Sequence, residues 1–513
     1  MKMEKTKNAS RNIIFGVFLK VYQILLPFLM RTIMMYTIGV QYLGLNSLFS
    51  SILQVLNLAE LGVGNAMVFS MYKPIAEDDE ITICALLKLY RLYYRIIGAI
   101  ILVFGIMLIP VLPKLISDDI PADMNIYILY LLNLLATVFT YWLFAYRNSV
   151  LQAFQRTDVI SKITIITETI KYFFQFTVLL IWKNYYFFVI VLLLTQIINN
   201  IITAMISKKM FSSLNPEGNL AKEKIRSINR KIKDLFTSKL GYTIVSSADT
   251  IVISAFLGLT VLAKYQNYYY ILNAVIGFMS VIYSSITAGI GNSILTKSCD
   301  DNYEDFKTFT LLVTFVSGIC CACFFTLYQP FMIIWMGKDM LLPDSMVALF
   351  CFYFWVYELV MMISVYKDAG GIWHEDRFRP LLSGVANLLI NLILVKIIGL
   401  YGIVISTILS QICISLPWII KNVNNLVFHR SSKPYFVSIL RNTLIIVCAT
   451  MGVGIINYFI SVNGIVGLFI RGLVAILLSI IVLVVCLKKD EKYKDAKLLL
   501  FRLLKVDRIL KVE

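Results

Sequence analysis

Residues 185–206 read YYFFVIVLLLTQIINNIITAMI, with no charged side chain between Lys183 and the pair Lys208 and Lys209. Wound as a helix, a segment of this length is about 33 Å long, enough to cross the roughly 30 Å hydrocarbon core of a bilayer. A backbone in lipid must satisfy its own hydrogen bonds, so only helices and closed barrels span it. Barrel strands would show stretches of about ten residues alternating in polarity, and this segment does not alternate. Runs of the same kind recur outward in both directions. Fourteen spans are expected, near 13–37, 44–71, 93–115, 125–149, 159–182, 185–206, 238–258, 262–290, 307–333, 345–366, 380–398, 401–420, 436–460 and 465–487.

The composition agrees. The chain is 59% hydrophobic and 15% charged, where a soluble domain is about 45–50% apolar and about 25% charged. The net charge of +17 is not a nucleic-acid footprint, because the basic residues flank apolar spans; they read as a topology signal and an attraction to anionic lipid. Residues 1–11 form a short, polar, basic tail. The apolar run after them continues past 20 residues with no small-residue cleavage site, so it is read as the first span and not as a signal peptide.

Lys and Arg alternate in density from loop to loop. One set of loops holds Lys2, Lys5, Lys7 and Arg11, then Lys88 and Arg91, then Arg147 and Arg156, then the basic stretch 208–237, and later Lys367, Arg377, Arg379, Arg430 and Lys433; the opposite loops hold about one lysine each. The phase persists through fourteen spans, which places both termini in the cytoplasm of a multi-pass protein. The expected plan is a cytoplasmic tail at 1–11, an N-lobe of six spans at 12–207, a basic linker at 208–237, a C-lobe of six spans at 238–427, two further spans within 428–487, and an amphipathic tail at 488–513. In that tail Lys497 alternates with Leu499, Leu500, Phe501, Leu503 and Leu504, a pattern suited to lying on the inner leaflet.

An internal repeat links the lobes. Lys20, Gly39 and Leu43 pair with Lys239, Gly258 and Leu262 at an offset of 219; Gly62-Val63-Gly64-Asn65 pairs with Gly289-Ile290-Gly291-Asn292 at 227; Tyr146-Arg147-Asn148 pairs with Tyr366-Lys367-Asp368 at 220. Six spans per repeat is an even number, so both repeats enter from the same side and are parallel, a recurrent transporter plan.

Ionisable side chains inside hydrocarbon are costly and tend to line a cavity. Lys20, Gln23, Pro27 and Arg31 share a face of span 1; Lys239, Tyr242, Ser246 and Asp249 do so in span 7. Span 2 carries Gln54, Asn57 and Glu60, span 5 Lys162, Glu168 and Lys171, and span 10 Glu358. Lys20 and Lys239 have two readings: lining a central cavity, or snorkelling to the headgroups. Arg31 lies deeper, and its planar fork suits phosphate. Glu60, Asp249 and Glu358 also have two readings, as binders of a coupling cation or proton and as counter-ions to the basic groups.

Catalytic constellations are not evident. His374 and His429 sit in charged loops without metal-ligand spacing, and no Walker loop is present. The acidic clusters at Glu77–Glu80 and Asp300–Asp305 sit in short loops with no folded domain around them. The nine cysteines show no paired-loop or metal spacing; Cys320, Cys321 and Cys323 lie together in one span. The chain is therefore expected to be a transporter and not an enzyme, with no metal and no organic cofactor.

Three stretches carry a family resemblance. Ile38-Gly39-Val40-Gln41-Tyr42-Leu43-Gly44-Leu45, leading to Leu61-Gly62-Val63-Gly64-Asn65, resembles the first hairpin of bacterial polysaccharide flippases. So do Asp249-Thr250-Ile251-Val252-Ile253-Ser254 with Tyr265-Gln266-Asn267-Tyr268, and Tyr366-Lys367-Asp368-Ala369-Gly370 with Arg379-Pro380, Asn387 and Gly399-Leu400-Tyr401-Gly402. The resemblance is to the O-antigen and capsule type within the multidrug/oligosaccharidyl-lipid/polysaccharide exporter superfamily, and it covers nearly the whole chain in order. It implies a V-shaped, two-lobed all-helical fold in the bacterial cytoplasmic membrane with a cationic central cavity. It implies alternating-access translocation of an undecaprenyl-diphosphate-linked oligosaccharide for surface polysaccharide assembly. On that reading Arg31, Lys20, Lys239, Arg147, Gln54 and Asn57 contact substrate, and Asp249, Glu60 and Glu358 couple transport to a proton or Na+. Membrane lipids and the polysaccharide polymerase machinery are the expected partners, nucleic acid is not, and a monomer is expected. Three other readings stay open: an ion-coupled drug or metabolite antiporter of the same superfamily, a peptidoglycan-precursor flippase, and a membrane glycan polymerase or glycosyltransferase.

Overall fold

The computed structural model describes residues 5–60, 62–117 and 124–503. Every regular element among them is helical. In chain order these are α1 (Lys5–Thr37), α2 (Val40–Leu56), α3 (Val63–Ala76), α4 (Glu80–Leu108), α5 (Ile126–Trp142), α6 (Tyr146–Ala153), α7 (Thr157–Ile181), α8 (Tyr185–Met210) and α9 (Lys222–Leu257). They continue with α10 (Leu259–Thr296), α11 (Cys299–Met336), α12 (Asp344–Ala369), α13 (Arg379–Ile398), α14 (Leu400–Ser410), α15 (Leu416–Leu426), α16 (Lys433–Tyr458), α17 (Gly464–Leu487) and α18 (Tyr493–Leu503). Eleven helical stretches among the described residues are long and apolar enough to cross a membrane, and twelve do so if α5 and α6, bent by 52°, are one pass. The sequence places its two remaining expected passes on the broken pair α2–α3 and on α9, whose apolar stretch Ser247–Leu257 is shorter than a full span.

The chain divides into two compact units, Met1–Ala263 and Lys264–Glu513. The basic stretch 208–237 is largely helical, since α8 runs on to Met210 and α9 begins at Lys222. Helix α9 packs on α2 and α3 and therefore counts with the first unit.

The repeat is visible in the backbone. Gly39, before α2, has φ 102° and ψ 172°; Gly258, between α9 and α10, has φ 89° and ψ 171°. Each glycine N–H closes the preceding helix on a carbonyl five residues back, Gly39 on Met34 at 3.0 Å and Gly258 on Ile253 at 3.1 Å. A residue with a Cβ is strained at such a φ, which accounts for glycine at both turns. Close packing adds a demand at Gly44, where a Cβ would stand 2.2 Å from the carbonyl oxygen of Leu259. The start of α2 is thus seated on the start of α10.

The second glycine motif behaves differently in the two repeats. Span 2 is interrupted by a 3₁₀ turn, Asn57–Glu60, and Gly62 restarts the helix from φ 90°. The matched Gly289-Ile290-Gly291 lies inside an unbroken α10.

In the second unit α16 and α17 pack on α11, with Gly318 of α11 against Leu483 and Ile446, and Gly454 of α16 against Phe325. Small residues that let helices approach are the usual adhesive between helices in lipid, where apolar side chains gain nothing by leaving the solvent. Helix α18 also rests on α11: Ala496 and Tyr493 join the apolar cluster of Leu311, Leu483 and Leu487, and Lys492 pairs with Glu304 at 2.8 Å. The last part of the amphipathic tail, including Leu504, lies outside the described residues.

Candidate functional site

The break in span 2 places Glu60 at the end of a helical fragment, where neighbouring helices reach it. Tyr94 of α4 donates to Oε1 at 2.6 Å, and Tyr141 of α5 donates to Oε2 at 2.9 Å. Tyr141 also lies 3.2 Å from Oδ1 of Asn57, and Tyr90 donates to the Tyr94 hydroxyl at 2.6 Å. The rings pack as a group, Tyr90 on Tyr94 at 4.3 Å and Tyr94 edge-on to Tyr141 at 5.4 Å. Gly64 leaves room for this group: a Cβ there would stand 3.2 Å from the Tyr90 hydroxyl. Glu60 forms no ion pair among the described residues; its partners are phenols.

The second unit contains the reciprocal arrangement. Glu358 of α12 is fully buried, and Tyr283 of α10 donates to its Oε2 at 2.5 Å. Its Oε1 is buried with no hydrogen-bond partner among the described residues. Each lobe keeps one carboxyl–phenol pair, with the carboxyl on the second helix of the first repeat and on the fourth helix of the second.

A third polar site lies inside the first unit. A cavity of about 200 Å³ between α5, α7 and α8 is walled by hydroxyls and amides, including Thr140, Thr167, Thr195 and Asn199, around the ion pair of Lys171 with Glu168. Thr167 donates to Asn199 at 2.9 Å and Asn200 to the carbonyl of Thr140 at 2.9 Å. Lys171 is 9% exposed and also stands 4.3 Å over the Tyr172 ring.

The other residues singled out in the sequence lie on several helices. Lys20 is exposed on α1. Arg31 and Asp249 are half-buried and buried, and both have partners. Gln54 is exposed and also partnered. Arg147 is buried, donates to the carbonyl of Leu214 at 2.7 Å, and so ties α6 to the segment after α8. The side chain of Lys239 lies outside the described residues. Asn57 and Glu60 are brought into one constellation through Tyr141. The tyrosines that complete it, and the cavity wall on α8, went unread in the sequence. For α8 a signal existed: Thr195, Gln196, Asn199 and Asn200 fall on one helical face within an otherwise apolar segment.

No protein-family profile matches the sequence, and no curated protein does. Solved structures do. The lipid II flippase MurJ in an inward closed conformation is similar over 93% of this chain and 99% of its own, with a TM-score of 0.64 and 14% identity. An inward-facing multidrug resistance MATE family transporter of the MOP superfamily is similar over 80% of this chain and 98% of its own, with a TM-score of 0.61 and 14% identity. A mutant of the Vibrio cholerae MATE transporter VcmN is similar over 84% and 100%, with a TM-score of 0.52 and 13% identity. All three are membrane transporters or flippases, and the chain has the all-helical fold that they share.

Proposed function

We propose that this chain is a flippase that carries an undecaprenyl-diphosphate-linked oligosaccharide from the inner to the outer leaflet of the bacterial cytoplasmic membrane, with both termini in the cytoplasm. The observation that carries the reading is the share of the chain that each structural likeness covers. The MurJ likeness extends over 93% of the chain and the MATE likenesses over 80–84%, which supports a lipid-linked cargo over a drug antiporter. The motif resemblance around Gly39, Asp249 and Tyr366 supports the oligosaccharide class. The MurJ likeness also supports a second reading, a peptidoglycan-precursor flippase.

In the proposed mechanism Arg31, aided by Lys20 and Lys239, holds the diphosphate, and the lipid tail stays in the bilayer. Gln54 and Asn57 contact the sugars. Glu60, Glu358 and Asp249 bind the coupling proton or Na+. For Glu60 and Glu358 the support is geometric: each carboxyl is held by phenol donors, and neither forms an ion pair among the described residues.

The test is a leaflet-exchange assay in proteoliposomes, with a fluorescent undecaprenyl-diphosphate oligosaccharide and an impermeant reagent that reads the outer leaflet. Wild type should exchange it. Arg31→Ala should slow exchange by about tenfold or more, the loss of a charge-assisted contact of about 1.5–3 kcal/mol. Unchanged exchange at equal protein level would remove Arg31 from the site. No exchange by wild type of this lipid, with exchange of a peptidoglycan precursor, would select the second reading.

A further inference from the structure

Between α13 and the junction of α14 with α15, the second unit has a groove of about 880 Å³. Its origin is local. Pro417 has no N–H to offer the carbonyl of Cys413, and residues Gln411–Ser415 are wound as a π turn closed by Leu416 N–H on the Gln411 carbonyl. A π turn widens the helix locally, and such turns recur at functional sites. One wall is formed by Leu382, Val385 and Leu389 of α13, which are 47%, 42% and 57% exposed, and the other by Cys413, Ile414 and Pro417.

The groove is polar at one end only. There Trp418 donates to the backbone carbonyl of Glu375 at 3.2 Å, which fixes the indole at the rim. Asn422 Nδ2 is buried with no acceptor among the described residues. Lys421 and Glu375, also lining this end, are exposed, and neither forms an ion pair among the described residues. An apolar trough therefore ends in one cation, one unsatisfied amide donor and one carboxylate. An anionic lipid would set its headgroup against Glu375, and a diphosphate would do so with greater charge. A headgroup that carries both a phosphate and an ammonium satisfies all three groups.

We propose that this groove is a binding site for a zwitterionic aminophospholipid. One acyl chain lies along Leu382, Val385 and Leu389. The phosphate meets Lys421 and Asn422 Nδ2, the ammonium meets Glu375, and Trp418 marks the headgroup level, as interfacial tryptophans do. The polar end lies beside the basic loops, so the lipid belongs to the inner leaflet on the orientation proposed above; the binding chemistry does not depend on that orientation or on the cargo.

Cys413, exposed in the groove, reports occupancy. The full chain, with its other cysteines changed to Ala, is placed in nanodiscs of phosphatidylethanolamine or of phosphatidylglycerol and treated with a maleimide. Labelling of Cys413 should be about fivefold slower in phosphatidylethanolamine, as mass action gives for a mostly occupied site. Glu375→Gln and Lys421→Ala should each bring the ratio below about twofold. Equal rates in the two lipids, stronger protection by phosphatidylglycerol, or protection that survives both substitutions together would overturn the proposal. If the cysteine-reduced chain does not fold, native mass spectrometry of the wild-type chain from an equal mixture of the two lipids decides. Preferential retention of phosphatidylethanolamine supports the site, and equal or reversed retention refutes it.

Discussion

A carboxyl group inside a membrane protein needs donors, and here the donors are phenols. Glu60 takes one from each of two helices and Glu358 takes one from Tyr283, with its second oxygen unsatisfied among the described residues. Tyr141→Phe removes a donor to Glu60 while keeping the ring against Tyr94. It should cost about 1 kcal/mol, a moderate value for a hydrogen bond within a membrane protein, read as a lowered midpoint of thermal unfolding in detergent. Glu358→Gln keeps an acceptor for Tyr283 but removes the exchangeable proton. Its expression should be normal, and lipid exchange should lose its dependence on an imposed proton gradient. An exchange rate that still follows the gradient would remove Glu358 from coupling. Neither arrangement is legible from the chain alone, because Glu60 and Tyr141 are 81 residues apart and tyrosine is common throughout these spans. Arg147 has a contact the sequence did not show either: its guanidinium donates to the Leu214 carbonyl inside the lobe.

At the scale of elements, glycine separates what the sequence reveals from what it hides. The paired turns at Gly39 and Gly258 were legible as a repeat, and they share one backbone conformation and one hydrogen-bond pattern. The Gly-x-Gly pair was equally legible as a repeat, but its two copies differ, since Gly62 follows a helix break and Gly289 sits in a continuous helix. Identity of motif cannot report this difference, because the break at Glu60 is accompanied by contacts from Tyr94 and Tyr141 on other helices. The contrast is testable. Gly258→Ala forces a Cβ into a left-handed turn and should lower stability by about 1–2 kcal/mol. Gly289→Ala meets nothing within 4 Å and should be neutral or stabilising by up to about 1 kcal/mol, the ordinary helix preference for alanine over glycine. Equal effects on thermal unfolding would contradict the assigned difference.

At the scale of the molecule, hydropathy foretold an all-helical, multi-pass fold because lipid permits so few solutions for a backbone. The packing of α16 and α17 on α11, through Gly318 and Leu483, and the return of α18 to α11 depend on side-chain fit, which periodicity does not encode. Fold likeness to a lipid flippase and to drug transporters leaves the cargo as the central claim, and the cargo is a matter of chemistry in the cell. The most direct measurement is mass spectrometry of polyprenyl-diphosphate oligosaccharides in lipids from a strain lacking this chain, with surface polysaccharide measured in parallel. The account predicts that the complete lipid-linked repeat unit accumulates while surface polymer is lost. Accumulation of incomplete intermediates in its place would contradict it, because the block would then lie in synthesis and not in export.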